Sequence, residues 1–313
     1  MNAMIDNPVR EYTNEASRDA GRIGLSVLVP FYRDDPADLV RAIAEQAGGD
    51  VEIVLHDDGE PDPDLNARLT RILAAMSLPA RLLTSARNRG RSAGRNLLAE
   101  QARGAWLLYL DADMTPGSPV FLETYRALMA RGGCDAVFGG YETDWPRDPA
   151  LKLHAALSRT SDQHDAAARN AVGATAFCAS NVLVRAEVMQ AVPYDTGFAG
   201  WGWEDVDWAV RAAEHFTLIH GDNPARHGGL QDAAALLEKF RIGATNYRRL
   251  IDRHPELAAL PGARAARALS RLPFQAALRG LWAGLCCTGA LPLRLRTLAL
   301  KLWRASWTAE ALR

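Results

Sequence analysis

The sequence predicts an α/β fold built on a mostly parallel central sheet, and three observations predict it. Short apolar-rich runs alternate with segments whose apolar residues recur every three or four positions. Polar or glycine-rich motifs follow the apolar runs, at the strand ends where open α/β sheets place their ligands. The chain of 313 residues, 48% hydrophobic and 23% charged, has the length and composition for a sizeable buried core.

The elements follow in order. Residues 1–20 are polar, carry Asp6, Glu11, Glu15 and Asp19, and lack an apolar core segment, so a disordered arm is expected and not a signal peptide. Residues 25–29 are strand-like and stop at Pro30; beyond Pro36, Leu39, Val40 and Ile43 fall at helical spacing. Residues 51–55 form a second strand candidate, closed by His56-Asp57-Asp58-Gly59. Leu65, Leu69, Ile72, Leu73 and Met76 step by three and four and predict a helix. A third strand is expected at 80–84, a glycine-punctuated helix near 92–102, and a fourth strand at 106–110. This alternation argues for parallel pairing through right-handed crossovers. Past residue 133 the order loosens, with strand candidates at 135–139, 176–184 and 216–219. A catalytic domain is expected over 21–232 and a helical region over 233–313.

Charge is uneven along the chain. From Arg264 to the end there are nine Arg/Lys and one acid, Glu310, so the preceding 263 residues hold 27 basic and 36 acidic groups, a net of −9. A basic tail on an acidic body suits a local anionic partner such as lipid. Residues 280–293 are uncharged over 14 positions, too short for the roughly 20 that a spanning helix needs. Arg294, Arg296, Lys301 and Arg304, with Trp282, Trp303 and Trp307, surround that stretch. Two readings stay open for 280–307: peripheral contact with a membrane surface, or helices that pack on the catalytic domain or on a second copy. No nucleic-acid module accompanies the basic residues, and no nucleic-acid partner is expected. Cys134, Cys178, Cys286 and Cys287 show no metal-site spacing, and the adjacency of the last two disfavours a mutual disulfide. A reduced, cytoplasmic setting is expected, on the inner face of the cytoplasmic membrane if the tail docks there.

Four motifs point to chemistry. Asp111-Ala112-Asp113 ends the apolar run at 106–110, where two carboxylates can share a hard cation, Mg²⁺ or Mn²⁺, and through it a nucleoside diphosphate. Asp57-Asp58-Gly59 offers carboxylates to the N–H of a uracil ring, or serves only as a turn. Residues 88–96 hold Arg89, Arg91 and Arg95 with Gly90 and Gly94 at the head of a helix, which suits phosphate oxygens, although neither a Walker loop nor Gly-x-Gly-x-x-Gly is present. In 198–207, Trp201 presents a flat face of the kind that stacks on sugars, and a partly dry carboxylate there can act as general base; a helix start fits the same residues. His227 can complete a metal site begun by carboxylates, with His220 as a nearby competitor.

Read in order, Val-Leu-Val-Pro30-Phe-Tyr, Asp57-Asp58-Gly59, Asn88-x-Gly90 with Ala-Gly-Arg95-Asn96, Asp111-Ala-Asp113 and Gly200-Trp-Gly-Trp-Glu204-Asp205-x-Asp207 resemble the family-2 glycosyltransferases of the GT-A fold. The likeness runs from about 25 to 227. Its last element resembles the galactosyl- and N-acetylgalactosaminyltransferase branch, including chondroitin-type polymerases. The resemblance implies inverting, metal-dependent transfer from a nucleotide-sugar, most simply a UDP-sugar, to a hydroxyl of a glycan or lipid-linked acceptor in cell-surface polysaccharide synthesis. It places Pro30, Asp57 or Asp58, Arg95 and Asp111 on the donor nucleotide. It assigns Asp113, His227 and the metal side of Asp111 to Mn²⁺ or Mg²⁺, Asp205 to the general base, and Trp201 and Glu204 to the acceptor side. Three positions depart from the family pattern: Arg33 where Asn is frequent, Glu60 where Ser is frequent, and a large Trp203. A sugar-nucleotide nucleotidyltransferase would instead carry its Gly- and Arg-rich signature after the first strand, where Pro30-Phe-Tyr-Arg-Asp stands. A non-catalytic scaffold would fit losses at Asp111, Asp113 or Asp205, and all three are present.

Overall fold

The central strands form because their apolar runs are long enough to be buried on both faces. In the computed structural model, which describes residues 7–312, eleven strands are found among those residues. They are β1 (Val9–Thr13), β2 (Leu25–Phe31), β3 (Val51–Asp57), β4 (Ala80–Ser85), β5 (Trp106–Leu110), β6 (Met114–Pro116), β7 (Ala136–Phe138), β8 (Tyr141–Glu142), β9 (Asn181–Arg185), β10 (Leu218–His220) and β11 (Ala225–His227). The larger sheet has the order β1-β4-β3-β2-β5-β9-β7-β10, and β6-β11-β8 form a small second sheet. Strands β2 to β5 pair in parallel, as expected from the alternation with helices, while β9 runs antiparallel to both β5 and β7. Alternate residues feed two apolar layers. Leu25, Val27, Ile53, Leu55 and Leu108 face one, and Leu28, Val54, Leu83, Leu107 and Tyr109 face the other.

The chain forms two compact units. One contains both sheets and takes residues up to 142, then 164–196 and 205–228. The other takes 143–163, 197–204 and everything from 229 onward. The second unit is helical, with Lys152–Ser161, Ala233–Arg253, Pro261–Ser270, Gln275–Cys287 and Leu293–Ala311. Leu153 and Leu157 bury there against a core containing Leu236, Phe240, Trp282 and Leu300. Those two leucines are why the helix at 152–161 belongs with the C-terminal helices and not, as the expected division at 232 has it, with the sheet. Asp232 caps the long helix by accepting the Ala235 N–H at 2.8 Å.

The opening segment differs from expectation. Residues 9–13 are not a disordered arm: they pair antiparallel with β4 along their full length. Asn14, almost fully buried, caps the short helix Glu15–Arg18 and donates to the carbonyls of Leu73 and Leu78. An edge strand is polar on its open side, so its composition resembles a solvated tail. Residues 1–6 lie outside the described residues. The 176–184 candidate is shorter than expected, since a 3₁₀ turn occupies Gly173–Ala176 and the strand begins at Asn181.

His56 lies buried near the end of β3, with Nε2 2.9 Å from Ser85 Oγ. Gly94 covers the ring so closely that a Cβ there would sit 3.0 Å from Nδ1. Burial first, and then the Arg89 charge, lowers its pKa from 6.5 to about 4. The folded state therefore holds a neutral imidazole where the unfolded state takes up a proton. Stability is expected to fall as pH drops from 6.5 towards about 4, and His56→Gln to flatten that slope in urea titrations run across the window. An unchanged slope would contradict this account.

Candidate active site

The site is assembled at the C-terminal ends of β2, β3 and β5. Pro30, half-buried near the end of β2, lies in register with His56. Asp57 is buried at the end of β3 and accepts from the Glu60 N–H at 2.6 Å and from the Asn66 amide. Asp58 reaches across to the arginine-rich loop, accepting from Arg89 N–H at 2.6 Å and Gly90 N–H at 2.9 Å. Burial pushes the Asp58 carboxyl above its usual range, while those two N–H groups and the Arg89 charge pull it back. Gly90, at φ +85, turns the chain into the helix Arg91–Gln101.

That helix presents Arg91 and Arg95, one turn apart, to a single carboxylate. Arg91 Nη2 lies 3.0 Å from Asp111 Oδ2 and Arg95 Nη2 lies 2.9 Å from Asp111 Oδ1. Burial alone would raise the Asp111 pKa, but Arg91 and Arg95 outweigh it and hold the carboxyl below the usual carboxylate range. Arg95 is 1% exposed, its guanidinium lies 5.6 Å from the Tyr194 ring centre, and its carbonyl accepts the Tyr109 hydroxyl. In the sequence Arg91 and Arg95 stand at i, i+4, the spacing that sets both on one face of a helix.

Asp113 meets His227 through backbone pairing. β6 begins directly after Asp113 and runs antiparallel to β11, which sets His227 opposite Met114. The Gly228 N–H donates to the Asp113 carbonyl at 2.8 Å. His227 Nε2 thereby comes to 3.2 Å from Asp113 Oδ2, with the Tyr141 ring 5.7 Å from the imidazole. Both side chains keep some exposure, 13% for His227 and 27% for Asp113. A carboxylate oxygen and an imidazole nitrogen suit a divalent ion such as Mn²⁺, with ligand oxygens completing its shell. Among the described residues, no group of three or more His, Cys, Asp or Glu side chains is arranged to hold a metal. Asp111, expected partly on the metal, has each oxygen engaged by an arginine.

Asp205 is the second residue of the helix Glu204–Ala213, half-buried, with Oδ1 2.9 Å from the Val206 N–H. The Cys178 thiol is pushed up to about 12 by burial, then by the charge of Asp205 and, more weakly, of Asp111. Both carboxylates thus act on one thiol, which stays protonated near neutral pH.

In the helical unit, Asn246 holds the 197–204 loop by donating to the carbonyls of Ala199 at 2.9 Å and Gly202 at 3.0 Å. Trp201 packs on Gly243 and against the edge of Phe240, with Lys239 Nζ 4.6 Å from its ring centre. The helix Ala233–Arg253 thus packs on the Trp201 ring, which stays partly exposed. Glu204 is buried. Trp203 has φ +76, with the Tyr247 ring 4.9 Å and the Arg304 guanidinium 5.2 Å from its own ring. Arg33 also has positive φ, +64, and its N–H donates to the Glu60 carboxylate. Two of the three departures from the family pattern are therefore bonded to each other, and asparagine tolerates the left-handed backbone of position 33 better than arginine does.

Residues 26–184, just over half of the chain, match the family model described as Glycosyl transferase family 2. Asp111 and Asp113 lie inside the match; Asp205 and His227 lie beyond it. Glycosyltransferase AglE of Haloferax volcanii is 26% identical over 231 residues, which cover 70% of this chain and 71% of that protein. The structure of the mannosyltransferase PcManGT from Pyrobaculum calidifontis, in complex with GDP-Man and Mn²⁺, is 21% identical, with 91% of this chain and 86% of that one covered and a TM-score of 0.58. S. aureus TarS 1–349 in complex with UDP-GlcNAc is 14% identical, with 93% and 90% covered and a TM-score of 0.53. At these identities the structural likeness is one of fold, the GT-A fold.

Two outcomes test the site's construction by chemical denaturation. Arg95→Ala leaves Asp111 short of its buried partner and is expected to cost about 3–5 kcal/mol, whereas Arg91→Ala, at a more exposed position, costs about 1 kcal/mol or less. Equal losses would refute the asymmetry. Arg33→Asn relieves the left-handed strain and is expected to be neutral or to stabilise by up to about 1 kcal/mol.

Proposed function

This chain belongs to glycosyl transferase family 2, and from that premise we propose that it transfers a sugar from a nucleotide-diphosphate donor to an acceptor hydroxyl with inversion at the anomeric carbon. The observation that supports this reading best is the side-by-side arrangement of the Asp113–His227 pair and the Arg91–Asp111–Arg95 clamp at the strand ends.

Pro30, Asp57, Asp58, Arg95 and Asp111 are the proposed donor-nucleotide residues. A uracil N–H would use a lone pair that the internal bonds of Asp57 or Asp58 leave over. The Arg91 side chain, 39% exposed against 2% for the side chain of Arg95, is the one whose fork has access to diphosphate oxygens. Asp113 and His227 are the proposed ligands of Mn²⁺ or Mg²⁺, which when bound neutralises charge on the leaving nucleoside diphosphate. PcManGT with GDP-Man and Mn²⁺ and TarS with UDP-GlcNAc support a nucleotide-sugar donor, UDP- or GDP-linked.

Asp205 is the proposed base. Its carboxylate takes the acceptor hydroxyl proton as that oxygen bonds to the anomeric carbon, while the bond to the leaving phosphate oxygen breaks on the opposite face. Cys178 stays neutral nearby and does not compete for the proton. Trp201 and Glu204, which precede Asp205 in the same motif, are proposed on the acceptor side. A glycan or lipid-linked hydroxyl in surface polysaccharide synthesis is the acceptor class that the motif supports.

A melting series with UDP- and GDP-sugars, with and without Mn²⁺, tests the donor assignment. Ligand at 100 times its Kd adds about 2.7 kcal/mol of stability, readily seen as a higher Tm. Metal-dependent stabilisation is expected for the wild type and lost in Asp113→Ala. Asp205→Asn is expected to keep the donor response while turnover falls by about 10²–10⁴. Wild-type turnover in Asp205→Asn would remove the base assignment, and no response to any nucleotide-sugar would remove the donor site.

A further inference from the structure

The surface of the C-terminal helices has no use in this chemistry. Among the described residues, five of the ten exposed large apolar side chains fall between positions 272 and 298: Leu272, Phe274, Leu281, Leu295 and Leu298. Phe274 is 81% exposed and takes left-handed backbone (φ +60) immediately before the helix Gln275–Cys287. A bulky side chain in that conformation, projecting into water, gains nothing from the fold. On this helix Arg279, Trp282 and Cys286 face inward, while Ala277, Gly280, Leu281, Gly284 and Cys287 form an outward stripe with no charge. The helix Leu293–Ala311 buries Arg296, Ala299 and Leu300 and exposes Arg294, Leu295, Leu298 and Lys301.

Side-chain bonds fix the register of the two helices. Arg296 Nε donates to the Cys286 carbonyl at 2.8 Å, and Arg279 Nε lies 3.1 Å from Ser306 Oγ. The helices are therefore antiparallel, with Leu298 level with the turn around Gly284 and Lys301 level with Leu281. By that register the exposed Leu281, Leu295 and Leu298 lie within a few turns of one another along the paired helices, as do the exposed Arg294 and Lys301.

Charge selects the occupant. Between Glu256 and Glu310 the sequence has no Asp or Glu and eight Arg/Lys, of which Arg264, Arg267, Arg271, Arg294 and Lys301 are exposed. A face for a second copy of this chain would place these cations against one another across a two-fold axis, with no carboxylate in the segment to offset them. An anionic bilayer surface offers headgroup phosphates to the cations and acyl chains to Phe274 and the leucines. Among the described residues no helix is long and apolar enough to cross a membrane, so contact by these helices is superficial. We propose that the outward face of the two helices, from Phe274 to Lys301, docks on anionic phospholipid. The surface stands apart from the donor-site assignment and is tested without turnover.

Sedimentation of the full chain with phosphatidylcholine vesicles, with and without phosphatidylglycerol, tests the docking. Binding is expected only to the anionic vesicles and weakens as salt is raised. The double variant Leu281→Glu/Leu298→Glu is expected to lose binding at least about tenfold, with the Tm of the wild type. Arg294→Glu/Lys301→Glu, at exposed positions that leave the packing intact, is expected to lose it similarly. No binding to anionic vesicles at low salt, or binding that both double variants retain, overturns the proposal. A concentration-dependent dimer that the leucine variants disperse, in a protein indifferent to vesicles, overturns it in favour of self-association.

Discussion

Asp111 is the point on which the sheet rim depends. Arg95 is almost wholly buried, and a buried guanidinium is tolerable only with its charge matched. Asp111 supplies that match, shares it with Arg91, and stays ionised because the two arginines together outweigh its own burial. Asp58 fixes the other end of the same circuit by capping the loop at Arg89 and Gly90 that opens the arginine helix. The ends of β3 and β5 are thereby tied to one helix through carboxylates. Both carboxylates shape the arginine-rich loop and the start of its helix.

Asp113 is positioned differently. Its carboxylate is oriented by the small sheet, where β6 and β11 fix backbone register and bring an imidazole from 114 residues further along the chain. Backbone pairing sets this geometry with little dependence on the side chains of β6, which explains why so short a strand matters. The two aspartates of one triplet are thus distinct in surroundings. One carboxylate is bonded by two arginines, the other faces an imidazole nitrogen.

Strain is confined to few positions. Arg33 and Trp203 are two of the three non-glycine residues with positive φ among those described. Each is held by specific neighbours: Glu60 takes the Arg33 N–H, while Tyr247 and Arg304 pack on the Trp203 ring.

The sequence by itself determined the parallel core and most of the rim. The apolar-rich runs at 25–29, 51–55, 80–84 and 106–110 are buried on both faces but for the half-buried Thr84, with the charges of Glu52 and Arg81 paired to each other, and hydrophobicity along such a run is local information. Asp57, Asp58, Arg95, Asp111 and Asp113 were legible because they directly follow those strands or open the helix between them. What depends on distant pairing was not legible. The polar segment at 9–13 becomes a strand only because β4 offers an open edge, and the strands of the small sheet are too short to show a period. The tertiary structure alone decided that Asp111 belongs to two arginines, that Asp113 belongs with His227, and that the Trp201 ring is packed by its own helical unit. Composition and periodicity report what a residue prefers to be buried with. Which partner satisfies a buried charge, or covers a ring, is set by the register of strands and helices that meet only in the folded chain.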